Sequence, residues 1–157
     1  MRQSLKKGFS FGLTSAIITT LGLIVGLHSS THNKMVVLGA VLIIAIGDAL
    51  SDSLGMHISQ ESVATHTHRE VWESTISTFM AKFIMALTFV VPILLLPLST
   101  AIIVSIIWGL LIITLFSYYL AKIQKIEPYK VIFEHVLIAV VVIIITHFVG
   151  DWVRTLG

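Results

Sequence analysis

Apolar residues run along this chain in five long blocks separated by short polar breaks. The blocks lie at about residues 8–27, 35–57, 76–97, 100–121 and 131–150. Each is long enough to cross ~30 Å of hydrocarbon as a helix rising ~1.5 Å per residue. In lipid every backbone N–H needs a partner, which leaves helices or closed barrels. Barrel strands alternate in polarity, and these blocks do not. The pattern therefore predicts an all-α integral membrane protein of five transmembrane helices, forming one domain over residues 1–157. Breaks at 28–34, near Pro97 and at 122–130 are short, so consecutive helices should run antiparallel. The longest break, 57–75, reads as a cytoplasmic polar extension of the second helix. Residues 1–7 are basic and precede an apolar run, as in a signal peptide. That run is longer than a signal core, and no small-x-small cleavage pattern follows, so a retained first helix is expected.

Composition sharpens this picture. Hydrophobic residues make up 56% of the chain, charged residues only 11%, and mean hydropathy is +0.99. A soluble domain carries ~25% charged residues, so a disordered chain and an ordinary soluble enzyme are excluded. The net charge of +2 comes from scattered basic residues, which argues against a nucleic-acid partner. Those residues instead set orientation. Arg2, Lys6, Lys7, Arg69, Lys122, Lys125 and Lys130 fall on one side, against Lys34 and Arg154 on the other. The N-terminus is expected in the cytoplasm and the C-terminus outside. No cysteine is present, so any metal would be held by His, Asp, Glu, Met or backbone oxygen.

Charges inside a membrane segment cost ~2.5–3.5 kcal/mol on insertion scales and mark candidate sites. Asp48 and Asp52 are spaced i,i+4 and share one face of the second helix; Met56 and Ser59 continue it, with Ser51 and Gly55 alongside. Read functionally, this is a stripe of metal and proton ligands. Read structurally, Asp52 is an interfacial residue and Asp48 a hydrogen-bonding partner or half of a salt bridge to Lys82. Lys82 itself, placed about two turns into the third helix, is expected to snorkel to the interface; the alternative is a pairing with Asp48 or Asp52. On the first helix Gly12, Ser15, Thr19, Gly22 and Gly26 recur every three or four residues as a close-packing seam, and Ser15 and Thr19 are candidates for a pathway wall.

Seven histidines are many for this length. His57, His66 and His68 gather with Glu61, Glu70 and Glu73 in the 57–75 segment, and imidazole with carboxylate suits first-row divalent metals. The plainer reading is a solvated polar segment. His28 and His32 in the first break read as loop residues or as a place where ions are admitted. His147 and Asp151, also i,i+4, read as a structural pair. No phosphate loop, nucleophile elbow or zinc-protease motif occurs, and two aspartates on one helix do not face each other as an acid dyad must. An enzyme is not expected, nor is a bound cofactor.

Three of these regions resemble the vacuolar iron transporter family. Residues 11–26 (FGLTSAIITTLGLIVG) are similar to its opening Gly-x-Thr-Asp-Gly-x-x-Thr-Thr segment, residues 47–59 (GDALSDSLGMHIS) to its Ala-Asp-x-x-Ser-Met-x-x-Gly-Glu-Tyr-x-Ser motif, and residues 146–150 (THFVG) to its Thr-Tyr-x-x-Gly ending. Pro92 and Pro97 resemble the proline pair closing its third helix. Asp48, Ser51, Gly55 and Ser59 match the second motif. The family's helix-one Asp is Ser15 here, its Met is Asp52, its Glu is Met56 and its Tyr is His57. About 19 residues, 57–75, stand where many members carry a larger cytoplasmic metal-binding insert. The resemblance implies the five-helix fold, a homodimer with its pathway between the two copies of helices one and two, and carriage of divalent cations such as ferrous iron or manganese.

The expectation is therefore a divalent metal transporter, with proton exchange as a possible coupling and no resident cofactor. Its candidate metal residues are Asp48, Asp52, Met56, His57, Glu61, His66 and His68, with Ser15, Thr19, Ser51 and Lys82 along the pathway. Its partners are the lipid bilayer, a second copy of the chain and divalent cations, and its place a bacterial or archaeal plasma membrane. The competing expectation is a non-transporting scaffold or regulatory protein that keeps the fold, with an Asp48–Lys82 ion pair filling the pathway.

Overall fold

A computed structural model describes residues 2–156. Five helices follow one another: α1 (Gln3–Thr31), α2 (Lys34–Glu61), α3 (His68–Leu95), α4 (Leu98–Gln124) and α5 (Pro128–Arg154). All five are long and apolar enough to cross a membrane. No strand occurs among the described residues.

Except at the end of α3, which stops at Leu95, the helices outrun the apolar blocks, because their termini are satisfied by polar residues that hydropathy ignores. The Asn33 side chain accepts from the backbone N–H groups of Met35 and Val36 at the start of α2. Thr67 and Glu70 form a capping box at the start of α3, each side chain accepting from the other's backbone N–H. Pro128 opens α5, where its missing N–H costs nothing. His32 and Lys125 end α1 and α4 in the left-handed conformation, with φ of 50° and 57°. The capping box also corrects the expected polar extension of the second helix. Residues 57–61 continue α2, residues 68–75 belong to α3, and only 62–67 lie between them.

Helix α1 is the centre of the bundle. Its Ile17, Leu21, Ile24 and Val25 are buried among Phe89 and Ile93 of α3, Ile102 and Ile113 of α4 and Val37 and Val41 of α2. The small-residue seam of α1 is covered by two partners rather than one. A Cβ on Gly12 would collide with the carbonyl of Thr78 on α3, and one on Gly150 of α5 would collide with the carbonyl of Gly26. These contacts lie within the chain. Thr19 of the same series is exposed.

Contacts at the ends fix the antiparallel order. Arg2 and Ser4 donate to Glu73 at 2.5 and 2.6 Å, joining the starts of α1 and α3. Lys34 donates to the carbonyls of Leu94 and Leu96 at 3.1 and 3.0 Å, joining the start of α2 to the end of α3. Phe9 meets Phe116 edge-on, placing the end of α4 beside the start of α1. Helix α2 stands at the margin. It buries Val37, Val41, Ala45, Ala49 and Ser53, while Ile43, Leu50 and Leu54 on its other side are exposed.

Candidate functional site: a buried ammonium between two carboxylates

The buried positions of α2 are small around its middle. Ala45, Ala49 and Ser53 seat it closely on its neighbours, and this brings Asp48 and Asp52 to the α1–α3 side. Asp48 and Lys82 each lie 14 residues after the start of their helix, with α2 and α3 both 28 residues long. They meet at mid-bundle, roughly 20 Å from either end. Both are thus deeper than the apolar blocks imply, since the helices are longer than the blocks.

Lys82 does not snorkel. Its side chain is 2% exposed and its ammonium lies 2.6 Å from Asp48 Oδ2 and in contact with Asp52 Oδ2. The reason is direction: Lys82 shares the buried face of α3 with Thr75, Thr78 and Met85, so its stem points into the bundle and not along a lipid-facing path. The ammonium also donates to Ser15 Oγ at 2.9 Å, and that hydroxyl donates in turn to Asp52 Oδ2 at 2.6 Å. Three helices thus supply one closed polar cluster. Asp52 is held by hydrogen bonds. Asp48 meets the ammonium as an ion pair, its buried Oδ2 making no hydrogen bond.

Two carboxylates against one ammonium leave one negative charge. At ~4 Å and an effective dielectric of ~20, a pair of unit charges interacts by about 4 kcal/mol. Against that attraction stands a desolvation cost of several kcal/mol for each buried ion. Lys82 meets the full cost. The side chains of Asp48 and Asp52 are less enclosed, 29% and 22% exposed. The cluster is closed on the α3 side and open beside α2.

Of the other candidate residues, Met56 is half-buried one turn beyond Asp52, while Ser51 and Glu61 are exposed. Thr19 donates to the carbonyl of Ser15. His57, His66 and His68 each have a separate partner. His57 Nδ1 lies 3.0 Å from Thr75 Oγ1, whose proton goes to the Val71 carbonyl, so the imidazole is the donor. His66 Nδ1 lies 3.1 Å from the Gln60 carbonyl, and the Trp72 indole donates to His68 Nε2 at 3.3 Å. Glu70 serves the capping box, and Glu73 holds Arg2, Ser4 and Arg69. Among the described residues no three His, Asp or Glu side chains converge to hold a metal. The chain matches no family model and no curated protein. The likeness to vacuolar iron transporters therefore stands on the motifs themselves. Of the residues that carry it, Asp48 lies in the cluster, while Ser51, Gly55 and Ser59 sit on the exposed side of α2.

Several polar contacts were not among those expected. Ser77 donates to the carbonyl of Leu5, and the Ser74 and Thr78 hydroxyls lie between a carbonyl of their own helix and the carbonyls of Ser4 and Gly8, a row of hydroxyls where α3 meets α1. Their spacing of three and four residues was the available signal. At the opposite end His147 Nδ1 lies 2.5 Å from Ser29 Oγ, a stronger contact than the 3.5 Å to Asp151. His28 and His32 face each other with ring centroids 5.0 Å apart.

Proposed function

We propose that this chain is a membrane carrier of divalent metal cations in which Asp48 and Asp52 bind the ion and Lys82 is a resident cation that the ion must displace. The carrying observation is the unmatched negative charge at mid-bundle, on carboxylates that remain partly exposed. A purely structural pair has no need of a second acid or an open side. Carboxylate with the nearby Met56 thioether suits a first-row ion such as iron(II) or manganese(II), in keeping with the family resemblance. The resemblance also argues for a homodimer. The exposed side of α2 supports it: a Cβ on Gly39, Gly47 or Gly55 would meet nothing within 4 Å. By the excess of basic residues at the N-terminal end, that end lies in the cytoplasm.

One observation favours a second reading. Lys82 occupies the acidic site, as a non-transporting scaffold with a filled pathway requires, and the histidines do not converge. Uptake of iron(II), manganese(II) and cobalt(II) into liposomes separates the two. Uptake by the wild type that is lost in Asp48→Asn supports the carrier. A folded protein that moves none of these ions overturns it in favour of the scaffold. Full uptake by Asp48→Asn removes the ion site from Asp48.

A further inference from the structure

A second feature lies away from the charged cluster, between α1 and α4. These helices are pinned together where Gly109 meets Leu21; a Cβ there would come within 2.7 Å of the Leu21 side chain. Toward the start of α1 a groove of about 500 Å³ lies between them. Phe9, Leu13, Ile112, Leu115 and Phe116 wall it, and Lys6 is the only charged residue along it. Leu115 is 57% exposed and Phe9 40% exposed, so the groove opens outward between helices rather than into the bundle.

We propose that this groove is a binding site for an anionic phospholipid, its acyl chain along the apolar walls and its phosphate on the Lys6 ammonium. The inference is independent of what the protein carries; it needs only that the five helices lie in a bilayer. In that setting the medium facing an open apolar groove is lipid, and the single cation at its mouth selects a negative headgroup. On the orientation given by the basic residues, Lys6 lies at the cytoplasmic leaflet, where anionic lipids are attracted to basic side chains. A snorkelling lysine reaches headgroup depth while its stem lines the groove.

The test is native mass spectrometry of the full chain, equilibrated in mixed micelles with phosphatidylglycerol or phosphatidylcholine of the same acyl chains. Phosphatidylglycerol should be retained about five-fold more, the equivalent of about 1 kcal/mol for one lysine. Lys6→Ala should remove that preference while Lys7→Ala, outside the groove, preserves it. Leu115→Trp, which fills an exposed wall, should reduce retention of both lipids. Equal retention of the two lipids by the wild type overturns the assignment. So do equal losses in Lys6→Ala and Lys7→Ala, which indicate general surface charge, or a second copy of the chain covering the groove in lipid-free protein.

Discussion

Lys82 is held in the bundle by two acids and one hydroxyl contributed from two other helices. Removing one partner of a buried pair costs ~3–5 kcal/mol, because the remaining charge is left uncompensated. Lys82→Met keeps the stem's volume and strands two carboxylates that are themselves only partly enclosed by the bundle. The expected destabilisation is therefore smaller, about 2–3 kcal/mol. Adding Asp52→Asn should recover part of it. Thermal unfolding of the single and double variants checks this, and a double variant less stable than Lys82→Met would refute the coupling. The shared face of Asp48 and Asp52 is legible in their spacing alone. Their partner is legible only as one of two readings of Lys82, since it is 30 residues beyond Asp52 and only the crossing of α2 on α3 decides which way its stem points. Ser15 was visible as a small polar residue on a seam, but its place as both acceptor and donor depends on the same crossing.

The helices themselves were written plainly in the apolar blocks, since hydrocarbon leaves a continuous apolar stretch little alternative. Their ends were not, because caps are made by polar residues outside the blocks. The Thr67–Glu70 box shows this best: its spacing is a known start signal, yet it sits in a stretch whose polarity alone suggests a loop. Glycines divide in the same way. Gly12 and Gly47 look alike in sequence, but Gly12 lies against a backbone carbonyl and Gly47 against nothing. Gly12→Val should destabilise the protein by about 1–3 kcal/mol through overpacking. Gly47→Ala should change it by no more than ~0.5 kcal/mol, as at an unpacked surface site, or raise it slightly by helix propensity. Unfolding midpoints of the two variants in the same detergent make the comparison.

At the scale of the whole molecule, α1 packs on every other helix and α2 keeps one side bare. A continuous small and apolar face, running through Ile43, Gly47, Leu50 and Leu54, is the surface on which we expect two copies to meet. Gly47→Phe places a large side chain at the centre of that face without touching the bundle. Cross-linking in liposomes should show a dimer for the wild type and mainly monomer for Gly47→Phe, with helix content unchanged. A variant that remains dimeric would move the interface elsewhere.

The division of the charged cluster between α2 and α3 has a consequence for biosynthesis. The acids emerge from the ribosome before the lysine that neutralises them. An isolated α2 entering the bilayer carries two uncompensated carboxylates, each costing ~2.5–3.5 kcal/mol near the helix centre. With only residues 62–67 between the two helices, the cheaper course is to leave the translocon as a hairpin, Lys82 already against Asp48 and Asp52. Insertion of α2 is then conditional on α3, and a nascent chain halted before Lys82 is released should fail to anchor its second helix.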